Sequence, residues 1–191
     1  RSFVPFYHKK TENFTLYYDY EENHFFKSKV GKQHPLLPIL SGTAGIIVYA
    51  LFKDMVIDLG FTYPISVVLF SLFISCILAF GAIGGLIYTM KKYLANHKII
   101  VTLSKEEIMY YLHEGEQWLK SKMSLLSILF FFVLINVLFL LLVPSSGLFF
   151  FTNTGLSAAL IILIWGIRPI KRKRIYKQFK KEIENDKQEL I

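Results

Sequence analysis

Five histidines, His8, His24, His34, His97 and His113, are the side chains best suited to acid–base or metal chemistry near neutral pH. Their spacing supports neither. None has a second histidine four residues on, the spacing that sets two imidazoles on one helix face around zinc. His113-Glu114-Gly115-Glu116 departs from H-E-x-x-H. The single cysteine, Cys76, lies in an apolar run, so it forms no internal disulfide and offers no metal cluster. There is no Gly-rich phosphate loop and no G-x-S-x-G elbow. The expectation is a chain that is not an enzyme, with no catalytic, cofactor-binding or metal-binding residues.

One pair needs separate treatment. Glu106-Glu107 is similar to the start of the E-E-x-x-x-R motif of membrane-embedded CAAX-type proteases. Tyr111 stands where the arginine is required, and the pair falls outside the apolar stretches. Acidic residues in the first turn of a helix, favoured by its dipole, explain the pair better.

The elements that surround these residues are dominated by lipid-like composition. Of 191 residues, 53% are hydrophobic, 18 are Phe, and the mean hydropathy is +0.43, more apolar surface than a soluble core of this length uses. About 20 apolar residues in a helix cross the hydrocarbon core. Four stretches approach that length: Leu36–Phe52, Tyr63–Met90, Met123–Val143 and Leu148–Ile170. None contains Asp, Glu, Lys or His, which argues against pumps and ion-coupled carriers, since these place ionisable groups inside their spans. Residues 1–34 are polar and aromatic and do not read as a secretory signal peptide.

Basic residues set the orientation. Six Lys/Arg lie in 1–35, six in 91–122 and nine in 168–191, so 21 of the 22 fall on one side of a four-span chain. The positive-inside rule makes that side the cytoplasm. The net charge of +8 is accounted for in this way, and no groove-reading motif points to nucleic acid.

The expected fold is an all-α integral membrane protein of the cell membrane, with four spans and both termini cytoplasmic. Segment 1–35 holds a β-hairpin over 14–30, where Phe14, Leu16, Tyr18 and Tyr20 alternate with polar residues and Glu22-Asn23 supplies the turn. A transmembrane hairpin over 36–90 (spans 36–52 and 63–90) follows. Segment 91–122 supplies a possible third strand at Lys98–Leu103 and an amphipathic helix. That helix opens on the capping box Ser104-x-x-Glu107 and lies either on the inner membrane surface or on the hairpin. A second transmembrane hairpin covers 123–170 (spans 123–143 and 148–170), and 171–191 forms a basic tail. Trp118, Arg168, Lys171, Arg172, Lys173 and Arg174 stand where aromatic and basic residues anchor helices at the inner surface.

Small residues mark candidate helix contacts. Ser41-x-x-x-Gly45 lies in the first span, Ser71-x-x-x-Ser75-x-x-x-Ala79 and Gly81-x-x-x-Gly85 in the second, and Gly155-x-x-x-Ala159 in the fourth. Asn136, a mid-span amide, is expected to seek a partner on another helix. By contrast Phe130-Phe131-Phe132 and the Leu-rich run after it are bulky and suited to lipid.

The strand NFTLYYDY leading to the Pro-containing span HPLLPIL, together with the strand HKIIVTLSKEEI between the second and third spans, resembles the DUF443-type tandem transmembrane proteins of low-GC Gram-positive bacteria. Some members of that family act as immunity proteins against a membrane-depolarising toxin of the type VII secretion system. The resemblance implies that role, with no toxin-binding residue carried over. The partners expected are membrane lipid and a membrane protein, either a toxin or a subunit of a transporter or secretion complex. Assembly into a homo-oligomer, as a small transporter or channel, is the other alternative.

Overall fold

The computed structural model describes residues 3–9, 14–29 and 50–188. Strands β1 (Phe3–Lys9), β2 (Phe14–Asp19) and β3 (His24–Lys29) are followed by helix α1 (Pro64–His97), strand β4 (Ile99–Val101) and helices α2 (Lys105–Leu142), α3 (Gly147–Ile167) and α4 (Pro169–Gln188). Three helices among the described residues are long and apolar enough to cross a membrane: Pro64–Leu94 within α1, Lys105–Leu142 as α2, and Gly147–Asn185 over α3 and most of α4. The expected first span, 36–52, lies outside the described residues except for its helical end at 50–52. The chain divides into two units, a sheet unit (Arg1–Lys32, Tyr88–Ser124, Gly166–Ile191) and an apolar unit (Gln33–Ile87, Leu125–Trp165).

The sheet unit holds one antiparallel sheet in the order β1-β2-β3-β4. The expected hairpin and the strand after α1 do meet, with Phe25 opposite Val101. The structure has four strands, however, one more than a three-stranded sheet and two more than a hairpin. β1 adds an edge, and its Pro5 sits where the register shifts between Pro5 and Tyr7. Proline is tolerated at an edge bulge because it has no ladder N–H to give. The bulge also turns Phe6 and Tyr7, consecutive residues, both into the core.

The hairpin turn is set by side chains. Asp19 Oδ1 accepts the Glu21 and Glu22 backbone N–H groups at 3.1 and 3.4 Å, and Asn23 takes the left-handed conformation at φ 52°. The Tyr18 hydroxyl donates to Asn23 Oδ1 at 3.0 Å. Tyr17 and Phe26, directly opposed across β2 and β3, stack with centroids 5.1 Å apart.

The capping box forms as expected. Ser104 Oγ accepts from the Glu107 N–H at 3.2 Å and Glu107 Oε2 accepts from the Ser104 N–H at 2.9 Å. The amphipathic helix and the third span are one helix, α2, with no break at 122. Its first half packs on the sheet, where Tyr111 meets the Tyr7 ring at 4.7 Å and Leu112 is buried. Leu112, Leu119, Leu126, Val133 and Leu140 recur every seven residues as the buried seam of the helix. Phe130, Phe131 and Phe132 are exposed, as lipid-facing side chains would be.

In the apolar unit, Val67, Val68, Leu140 and Phe150 form the core. The segment after residue 52 and the turn before α3 are joined by a bridge between Val56 and Ser146. Ile57 donates its N–H to the Ser145 carbonyl at 2.8 Å, and Gly147 donates to the Met55 carbonyl at 2.7 Å. A Cβ on Gly147 would lie 2.7 Å from that carbonyl oxygen, so the close approach requires glycine.

Candidate functional site

Two buried polar clusters distinguish the molecule, one in each unit. In the apolar unit, Ser71, Ser75 and Ala79 fall on one stripe of α1, each with no exposed surface. Their small side chains let α3 come close enough for hydrogen bonds across the pair. Asn153 Nδ2 donates to Ser71 Oγ at 2.6 Å, and Ser75 Oγ contacts the Thr154 carbonyl at 3.0 Å as well as the Ser71 carbonyl at 2.6 Å. Thr154 Oγ1 bonds back to the Phe150 carbonyl at 2.8 Å. Asn153 Oδ1 and Ser157 Oγ are buried without a hydrogen-bond partner.

The interhelical amide is therefore Asn153 rather than Asn136. Asn136 Oδ1 is buried with no hydrogen-bond partner among the described residues. The contact face of α3 also differs from expectation. Asn153, Thr154, Ser157 and Ala158 are buried, whereas Gly155 is exposed and Ala159 only partly covered. On α1 it is the serine stripe that packs; Gly81, Gly84 and Gly85 are exposed, and a Cβ at Gly81, Gly84 or Gly155 would meet no heavy atom of the described residues within 4 Å. Sequence spacing finds small-residue stripes but does not choose which one the chain itself occupies. Ser41 and Gly45 lie outside the described residues.

In the sheet unit the basic anchors separate into two kinds. Arg172 is 3% exposed, and its guanidinium lies 4.3 Å from the centroid of the Trp118 ring. That placement corrects the expectation that both residues serve the membrane surface: the buried face of α4 turns Arg172 inward over the Trp118 ring, which Lys122 Nζ also meets at 5.5 Å. Burial pulls its pKa down to about 10, so it stays charged at neutral pH, while the nearby Tyr176 and Tyr17 hydroxyls oppose the shift. Arg168 takes φ 50° at the break between α3 and α4 and donates from Nη1 to the Phe3 carbonyl at 3.2 Å. Pro169 then opens α4, its fixed φ suiting a first helical position. Lys171, Lys173 and Arg174 stay exposed; Lys171 Nζ reaches the Tyr20 hydroxyl at 3.3 Å.

Tyr176 links three segments. Its hydroxyl donates to the Phe6 carbonyl at 2.6 Å, its ring meets Phe6 edge-on at 5.2 Å, and Gly115 of α2 lies against both. A Cβ at Gly115 would come within 2.6 Å of the Phe6 oxygen and of the Tyr176 hydroxyl. Burial raises the Tyr176 pKa to about 12, against the lowering influence of Arg172.

Compared with protein families, with curated proteins and with solved structures, the chain finds no match.

The chemistry-bearing residues take local roles. His8 Nδ1 pairs with Thr15 Oγ1 at 2.9 Å, His97 with the Tyr93 carbonyl at 2.9 Å and His113 with Gln117 at 3.0 Å. Asp19, Glu22 and His24 bring donor atoms within 4.8 Å of one another. Asp19 is committed to the turn amides, and Glu22 Oε2 lies 3.6 Å from Lys98 Nζ and 3.3 Å from His24 Nδ1. Glu107 is used in the capping box, and Cys76 is half-buried on α1. His34 lies outside the described residues.

Proposed function

We propose that this chain is a non-enzymatic, four-span membrane protein with both termini cytoplasmic, which acts as an immunity protein by neutralising a membrane-active bacterial toxin through helix contact within the bilayer. The observation that carries the contact reading is the outward small-residue surface. Gly81 and Gly84 on α1 and Gly155 on α3 are exposed, with open space beyond each among the described residues. In lipid, where no hydrophobic drive separates helix from tail, such surfaces gain most from the backbone of another helix coming close. Among the described residues the chain's own packing uses a different stripe, so these glycines are open to the approach of another helix. The toxin as that partner rests on the resemblance of the two strands and the Pro-containing span to the tandem transmembrane family.

Parity supports the four-span count. β3 pairs with β4, so in a membrane both strands would lie on one side of it. A single crossing by α1 would then call for a second crossing before it, in keeping with the proposed four spans. A sheet cannot form through lipid, since every backbone polar group there must find its partner within one element or a closed barrel. The charge distribution supports the same reading: 21 of the 22 basic residues belong to the sheet unit, the side the positive-inside rule assigns to the cytoplasm.

The test is self-protection. In a strain that carries the neighbouring toxin gene, deletion of this gene is expected to cause loss of membrane potential, restored by the intact gene. The double substitution Gly81→Leu with Gly84→Leu is expected to insert at normal levels and yet fail to protect. Full protection by that variant would exclude the glycine face, and unharmed deletion strains would exclude the immunity role itself.

A further inference from the structure

A groove of about 430 Å³ runs between α2 and α4 inside the sheet unit. Leu119, Met123 and Tyr176 form its apolar floor, and Lys120, Lys173, Lys177 and Lys180 stand around it with a single acid, Glu116. Lys180 is already paired with Glu116 at 2.8 Å, so the acid is neutralised and three ammonium groups remain. Lys173 and Lys177 are four residues apart on α4, on one face, where like charges repel. An anion seated between them reverses that cost.

The position of the groove narrows the kind of anion. Met123 is the first residue of the third apolar run, Lys120 comes one turn before it, and Lys173 follows three residues after Ile170, the end of the fourth run. These residues therefore belong to the part of each helix that passes through the headgroup layer. Basic pockets between helices at that level take the headgroups of anionic lipids. The floor matches as well, because half-buried Met123 can lie against the glycerol end of an acyl chain while the lysines hold the phosphate. A solvated row of lysines would need no apolar floor.

We propose that the groove between α2 and α4 is a binding site for the headgroup of an anionic phospholipid, with its phosphate held by Lys120, Lys173 and Lys177. The site rests on the membrane reading of the chain and is independent of the immunity role, which is tested by toxin survival.

The full-length protein in detergent is titrated with phosphatidylglycerol and with phosphatidylcholine, and bound lipid is counted by native mass spectrometry. Phosphatidylglycerol is expected to bind at least about tenfold more tightly, and the preference is expected to weaken with salt. The triple substitution of Lys120, Lys173 and Lys177 to Gln is expected to abolish the preference. A control triple on exposed basic residues outside the groove, Lys92→Gln, Arg174→Gln and Lys181→Gln, removes the same charge and is expected to retain it. Equal losses in the two triples would assign the effect to a diffuse field and overturn the site. So would equal binding of the two lipids, or displacement of phosphatidylglycerol by soluble glycerol phosphate at matching concentration, which would make the ligand a free phosphate compound. A photoactivatable phosphatidylglycerol on the unsubstituted protein provides a readout free of folding effects. Crosslinks in the peptides carrying Lys120 and Lys173 support the site, and crosslinks confined to other segments overturn it.

Discussion

The two units bury polar atoms by opposite means. The apolar unit uses small neutral groups: Ser71, Ser75, Asn153 and Thr154 bond to one another and to backbone carbonyls, and no charged residue enters the cluster. The sheet unit buries a full cation, Arg172, beneath Trp118, and surrounds it with aromatic rings. The difference follows from what drives each packing. Lipid tails are as apolar as leucine, so helices in a bilayer associate through close fit and hydrogen bonds, which small residues permit. Outside the apolar helices, bulky aromatic side chains are driven together by loss of water, and Phe6, Phe25, Tyr176 and Phe179 meet edge-to-face at 5.1 to 5.6 Å. Glycine has contrasting uses in the two. At Gly115 it admits a backbone oxygen and a phenol, whereas at Gly81 it faces open space among the described residues.

The strongest way to probe this contrast is Gly115→Ala. Alanine is the better helix former by about 1 kcal/mol, so an exposed glycine would gain from the change. Here the added methyl meets a backbone oxygen at 2.6 Å that has little room to retreat. A net loss of about 1 to 3 kcal/mol is expected, read by urea unfolding of the protein in detergent. A gain in stability would mean that the three-segment junction is looser than described.

A second test sets the two mid-span amides against each other. Asn153→Leu removes the bond to Ser71 and is expected to cost about 0.6 to 2 kcal/mol by steric trapping or denaturant unfolding. Asn136→Leu removes an acceptor that is buried without a partner and is expected to be neutral or stabilising. The reverse order would return the interhelical role to Asn136.

The smallest effect concerns pH. Tyr176 is raised from 10.0 to about 12 in the folded chain, chiefly by burial. The folded state therefore holds its proton more tightly than the unfolded state does. The associated stability is complete below pH 10 and is lost as pH rises through 12. Tyr176→Phe is expected to cost about 0.5 to 1.5 kcal/mol at neutral pH, from the lost bond to the Phe6 carbonyl, and to flatten that alkaline decline. An unchanged decline in the Phe variant would place the titrating group elsewhere.

Much of the framework was legible in the residues. Apolar length identified the helices that now appear as α1, α2 and α3, and alternation of Phe14, Leu16 and Tyr18 identified β2. The pairing of the hairpin with the strand after α1 followed from the need of a lone hairpin for a third strand. β1 escaped notice because Pro5 interrupts its alternation and the bulge places Phe6 and Tyr7 on the same side. The serine stripe was legible as one of several small-residue surfaces, with its use for internal packing left open, and neither Asn153 nor Ser157 was singled out beside Asn136 and Gly155. Periodicity gives the faces of a helix but carries no information on which face a neighbour covers.

What the sequence determined by itself was which segments are long and apolar enough to cross a membrane. Hydropathy and charge are local sums, and they mark such segments without knowledge of any contact. Only the tertiary structure decided which polar groups satisfy one another, because Ser71 and Asn153, or Phe6 and Tyr176, are separated by 82 and 170 residues. The inward turn of Arg172 belongs to the same class. Its neighbours in the chain are exposed basic residues, and only the ring of Trp118, brought from another helix, makes its burial tolerable.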